Sequence, residues 1–164
     1  MYTTSIELLQ RMPIFGAIRE DALMCVLEQA QTVVIRSQDY FFREGDEAGG
    51  MFVLESGSVA VLKGWKGRVF DLRHLVQGDC FGEMALMDLQ PRSASVHALE
   101  DCTAIELRPD DLLRLFERDP EQFALIQMNM GREVCRRLRF TDELLFRAQM
   151  GVPVDDIQSI GRSI

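Results

Sequence analysis

No stretch of this chain stays apolar for the roughly 18 residues that a membrane helix needs, and no basic-then-apolar leader opens it. The expected setting is therefore the cytoplasm. Cysteine is sparse and scattered. Cys25, Cys80, Cys102 and Cys135 make no CxxC pair, which speaks against a disulfide framework and leaves reduced, mostly structural thiols. Histidine is scarcer still. His74 and His97 stand apart with no HxH or HxxxH context, so neither a metal nor a histidine general base is expected. Basic charge is in deficit, 18 Lys and Arg against 26 Asp and Glu, for a net charge of −8. Such a surface repels phosphate backbones and anionic lipid on average, so neither DNA nor a membrane is an expected partner. No nucleophile sits beside a base, and an enzyme is not expected.

What is present fits one domain with a real core and a helical appendage: 164 residues, 47% of them hydrophobic and 27% charged. Ser5 to Met12 is a short amphipathic segment limited by Pro13. A second helix is expected from about Glu20 to Gln31, where Leu23, Val26, Leu27 and Ala30 recur at helical spacing. From Thr32 to Leu107 the texture changes to short β-rich runs: TVVIR, YFFRE, MFVLES, SVAVLK, RVFDLRHL, SASVHAL and TAIEL. Gly45-Asp46, Gly57-Ser58, Gly64, Gly67 and Gly78-Asp79 punctuate them as turns, the pattern of a small antiparallel barrel or roll.

Beyond the roll, Asp110 offers an N-cap for a helix through Phe116, and Asp119-Pro120 repeats the start signal. No proline follows until Pro153, so one helix of ~45 Å is expected to about Gln149. Its apolar stripe reads Phe123, Ile126, Met130, Val134, Leu138, Thr141, Leu144 or Leu145, and Ala148. A helix this long cannot bury itself against so small a domain, so its free face is expected to meet a second copy in a parallel homodimer. Gly151 and Pro153 end it. The expected division is a domain over 1–150, its last helix at about 120–149, and a tail over 151–164 that is too short for a helix-turn-helix unit. In that tail Val154, Ile157, Ile160 and Ile164 suggest one apolar edge of a short closing helix.

The stretch FGEMALMDLQPRSASV, Phe81 to Val96, carries the chemistry. Gly82 lets a ligand approach the backbone closely, and a short helix from Glu83 to Met87 opens with free N–H donors for a negative oxygen. Arg92 supplies the countercharge, its planar fork suited to two phosphate oxygens, with Ser93 and Ala94 beside it. A carboxylate next to such a site repels phosphate, so Glu83 is expected to accept a hydrogen bond from a sugar hydroxyl on the same ligand. As a surface pocket, the site is expected to lose Arg92 without loss of the fold.

This stretch resembles the phosphate-binding cassette of the cyclic nucleotide-binding domain family, F-G-E-[LM]-A-L, a spacer, then P-R-[STA]-A-[ST]-V. The resemblance runs from about Leu8 to Leu145. It implies an α+β, mainly β fold: an antiparallel β-roll (a jelly-roll-like double-stranded β-helix) with N-terminal helices and a long C-terminal helix covering the base. It implies ligand contacts from Gly82, Glu83, Met84, Ala85, Arg92, Ser93 and Ala94, with Arg92 on the cyclic phosphate and Glu83 on the ribose 2′-hydroxyl. Val61 and Leu72 match apolar pocket-wall positions and serve equally well as ordinary core. In RRLRFTDE, Thr141 matches a threonine that reaches the adenine amino group, and Arg137 matches a ligand-side position. Asp142 stands in place of a serine. Arg137 and Asp142 read equally as a solvated helix face. One departure is Gln38, where the family has glycine, in a turn distant from the cassette in sequence.

The function implied is a stand-alone receptor whose ligand reorders the long helix and signals to an effector protein. Cyclic AMP is expected over cyclic GMP, because Thr141 and Asp142 offer acceptors to the adenine amino group and repel the guanine carbonyl. An interaction module of the same fold, without regulated binding or with another anion, is the alternative if Arg92 or Glu83 turns away from the pocket. A cupin-like metal enzyme lacks the clustered histidines it needs.

Overall fold

Strand β3, Met51–Ser56, shows how this sequence makes its core. Side chains alternate across a strand, and here both faces are apolar. Met51 and Val53 join a cluster with the helices, while Phe52 and Leu54 point into the roll. β8, Cys102–Leu107, divides in the same way, with Ile105 and Leu107 toward the helices and Cys102 and Ala104 inward.

The computed structural model describes residues 2–151, without the side chains of residues 2–4 and Ala85. The helices are α1 (Tyr2–Gln10), α2 (Glu20–Leu27), α3 (Met84–Asp88), α4 (Pro109–Arg118) and α5 (Pro120–Met150), with a 3-10 turn at Pro13–Phe15. The other strands are β1 (Gln31–Ile35), β2 (Tyr40–Phe42), β4 (Ser58–Trp65), β5 (Arg68–Val76), β6 (Cys80–Phe81) and β7 (Ser95–Ala98). Two antiparallel sheets, β1-β8-β3-β6 and β2-β7-β4-β5, face each other across Phe52, Val59, Phe81 and Val96, which makes the jelly-roll-like β-roll. β6 was not separable in sequence, since two residues carry no period. α2 stops short of Gln31 because Gln31 already pairs with Glu106 on β8.

The N-cap of α4 is Arg108, two residues before the Asp110 cap expected. Pro109 opens the helix, having no N–H to leave unpaired, and the Asp111 carboxylate accepts from the Arg108 N–H at 2.8 Å. α5 begins as expected, the Asp119 carboxylate accepting from the Gln122 N–H at 3.1 Å. Its 31 residues divide into two parts. Ile126 and Met130 are buried against the domain, and Asn129 Nδ2 donates to the carbonyls of Ile14 and Gly16 at 3.1 and 2.9 Å. Further along, Leu138, Leu145 and Phe146 are exposed. No described helix is long and apolar enough to cross a membrane. The closing helix suggested for Val154 to Ile164 lies outside the described residues.

Gln38 adopts φ +72, the left-handed region that glycine enters freely. Its N–H donates to Ala98 at 2.9 Å, which holds the turn in place. Gln38→Gly is expected to raise stability by about 0.5–1 kcal/mol, the left-handed cost less the added chain entropy. A urea midpoint that falls would show that the Gln38 side chain contributes more than its backbone costs.

Candidate functional site

Gly82, between β6 and α3, adopts φ +79, and a Cβ there would meet Arg92 Nη1 at 2.5 Å and the Gly50 carbonyl oxygen at 3.2 Å. It is glycine because an arginine packs against its backbone. Gly82→Ala is expected to cost about 1–3 kcal/mol in urea unfolding through the strained φ alone. An unchanged midpoint would show that the loop can relax at no cost.

Arg92 is 6% exposed. Nη2 donates to the Gly50 carbonyl at 2.7 Å and Nη1 to the Gly82 carbonyl at 3.2 Å. The guanidinium lies 4.0 Å over the Phe42 ring. Burial pulls its pKa below the ordinary arginine value, opposed by Glu106, Asp46 and Glu83. Nε is buried with no partner among the described residues, a donor short of an acceptor. The backbone is braced too, since Arg92 N–H donates to Asp46 O and Gly45 N–H to Arg92 O, each at 2.9 Å. The Gly45-Asp46 turn, remote in sequence, thus lies against the cassette. Arg92 is part of the packing, which corrects the expectation of a surface side chain that the fold can lose.

Glu83 is 2% exposed, and its carboxylate pairs with Arg137 of α5. Arg137 Nε also lies 3.3 Å from Glu133 Oε1, one turn back on the same helix. No side-chain bond from Glu83 caps α3. The buried carboxylate therefore holds the long helix down onto the cassette.

Glu83 and Arg92 both line one open cavity of about 600 Å³, its mouth and adjoining solvent included. Gly82, Met84, Ser93, Ala94 and Val61 line it as well. Ala85 lies in α3. Leu72 does not line the cavity and is 58% exposed. The cause is a β-bulge: Val61 opposes Arg73 and Leu62 opposes Asp71, so Leu72 is the extra, unpaired residue. Thr141 and Asp142 are exposed on α5 and do not line the cavity, and Thr141 Oγ1 donates to the Arg137 carbonyl at 3.0 Å. Sequence reasoning missed Phe42 and Arg73, both on the wall. Phe42 had no distinguishing signal among the aromatics of YFF, and Arg73 was masked by the bulge.

The family described as the cyclic nucleotide-binding domain matches residues 32–119, more than half of the chain. The cyclic AMP receptor protein of Thermus thermophilus is 31% identical over 133 residues, 79% of this chain and 59% of the relative. A cAMP-dependent protein kinase regulatory subunit of Emericella nidulans is 30% identical over 107 residues, 65% of this chain and 26% of the relative. The chain thus spans only part of both relatives. The solved structure of the Thermus thermophilus catabolite activator protein superposes with a TM-score of 0.74 at 30% identity, over 84% of this chain and 63% of that one. A cyclic nucleotide-binding domain from Methylobacillus flagellatus reaches 0.77 at 21% identity, a likeness of fold alone. By its matched roll and cassette, the chain belongs to the cyclic nucleotide-binding domain family.

Proposed function

We propose that this chain is a regulatory receptor for cyclic AMP, and that occupancy changes how α5 sits on the cassette. The observation that carries this reading is the Arg92 guanidinium: buried beside the cavity, fixed by two carbonyls, and left with an Nε–H that has no acceptor among the described residues. A cyclic phosphate supplies that acceptor, with Gly82, Met84, Ala85, Ser93 and Ala94 around it. Glu83 receives the ribose 2′-hydroxyl and Val61 packs on the ligand. The relatives include a cyclic AMP receptor protein, and the similar structures include a Toxoplasma gondii regulatory domain with cAMP.

The output follows from competition. Arg137 holds the carboxylate that the sugar needs, so ligand binding and the Glu83–Arg137 pair are coupled. Release of Arg137 moves α5, on which Thr141 and Asp142 approach the base. Thr141 gives its proton to the Arg137 carbonyl, which leaves its lone pairs free to accept from the adenine amino group. The exposed Leu138, Leu145 and Phe146 present an apolar stripe for a second copy, so the signal passes through a homodimer or to an effector protein.

Titration calorimetry of the purified chain with cyclic AMP tests the reading. One saturable site per chain, with a melting temperature that rises with ligand, is the expected result. No heat and no shift at millimolar ligand would overturn it and favour an interaction module of the same fold.

A further inference from the structure

The hairpin of β4 and β5 ends in an arm that stands clear of its own sheet. β7 pairs with β4 only from Val59 to Leu62, while β4 and β5 go on pairing with each other as far as Trp65 and Arg68. Three cross-strand pairs therefore extend beyond the sheet, a reach of ~10 Å. Glu44 braces the base of the arm: Lys63 Nζ lies 2.7 Å from Glu44 Oε1, and the Gly64 N–H donates to Glu44 Oε2 at 3.0 Å. At the tip Lys66 and Gly67 adopt φ +48 and +76, the paired left-handed conformations of a two-residue hairpin turn. Asparagine, aspartate or glycine suits the first of these positions best, yet the chain sets lysine there.

The chemistry of the arm is the reverse of the body's. From Lys63 to Arg73 it holds four basic residues and one acid, a net +3 in a chain of net −8. The acid, Asp71, is paired with His74 at 2.6 Å, whereas Lys66 and Arg68 have no ion pair among the described residues. Trp65, Val69, Phe70 and Leu72 are between 47% and 69% exposed. These apolar side chains occupy both faces of the ribbon. Phe70 opposes Lys63, two residues before Trp65, and so shares a face with the indole, while Val69 opposes Gly64 on the other face.

We propose that this arm docks the protein on an anionic lipid bilayer, with Trp65 and its apolar neighbours among the headgroups and Lys66 and Arg68 on the lipid charges. A rigid protein partner covers one face of a ribbon, whereas a headgroup layer closes around both. Tryptophan and long basic side chains are the residues that settle in that layer, apolar stems inward and polar ends in water. The acidic body repels such a surface, but the arm holds it off by about one Debye length, ~8 Å at physiological salt. The net charge of the chain thus argues against a membrane only as an average. Trp65, Lys66, Arg68 and Val69 do not line the ligand cavity, so the proposal stands apart from the cyclic-nucleotide reading.

Trp65 is the single tryptophan of the chain, so its fluorescence reports on the arm alone. With vesicles of phosphatidylserine and phosphatidylcholine at low salt, its emission is expected to shift to the blue and to be quenched by lipids with brominated acyl chains. Vesicles of phosphatidylcholine alone should leave it unchanged, and salt at about 0.5 M should reverse the shift. Lys66→Glu with Arg68→Glu is expected to weaken vesicle binding by about twentyfold or more. Val69→Ser with Phe70→Ser, which keeps the charge, should abolish the quenching, and circular dichroism should show both variants folded. No shift with any vesicle, an equal shift with neutral and anionic vesicles, or unweakened binding by the charge variant would each overturn the proposal. A shift with poly-glutamate and none with vesicles would assign the arm to an acidic protein and overturn it as well.

Discussion

Replacing Arg92 with alanine is expected to weaken cyclic AMP binding by tenfold or more and to destabilise the fold at the same time. The binding loss follows from a charge-assisted bond to phosphate from a largely buried guanidinium, worth about 1.5–3 kcal/mol, where 1.4 kcal/mol is tenfold. The stability loss follows from what Arg92 holds without ligand. Its Nη2 and Nη1 are the donors to the Gly50 and Gly82 carbonyls, and its plane covers the Phe42 ring. Each buried carbonyl left unpaired costs about 1–3 kcal/mol, less where water enters the emptied space. Arg92→Lys keeps the charge but lacks the fork to serve both carbonyls and a phosphate, so it should fall between. Calorimetry and urea unfolding read the two effects separately. An unchanged dissociation constant would remove Arg92 from the phosphate, and an unchanged midpoint would remove it from the packing.

Removing Arg137 should matter more to stability than neutralising Glu83. Arg137→Ala strands a carboxylate that is 2% exposed, whereas Glu83→Gln leaves Arg137 its second partner, Glu133. The expected cost of Arg137→Ala is about 2–3 kcal/mol, below the ~3–5 of fully buried pairs because Arg137 keeps 25% exposure. The double variant should be more stable than Arg137→Ala alone, since no buried charge then lacks a partner. Four unfolding curves decide this, and simple additivity would mean that the two groups are not coupled. The same carboxylate sets the sugar preference. The 2′-deoxy ligand should bind more weakly than cyclic AMP to the natural chain, and Glu83→Gln should narrow the gap. Equal binding of both would leave Glu83 only its task at α5.

Features carried by neighbouring residues were readable from the chain alone. The Asp119-Pro120 start of α5, the short β runs parted by glycine turns and the order Gly82-Glu83 then Arg92-Ser93 all follow from local backbone chemistry or from short periods. Tertiary structure alone decided the rest. Glu83 meets Arg137 because α5 returns across the cassette, and Arg92 is buried because Gly50, Phe42 and Asp46 converge on it from separate strands and turns. Leu72 and Arg73 show the limit most clearly. Alternation assigns a face only while the register holds, and one extra residue in β5 turned the expected leucine out and set an arginine on the cavity wall. A bulge is fixed by the pairing of two strands, so no pattern within either strand contains it.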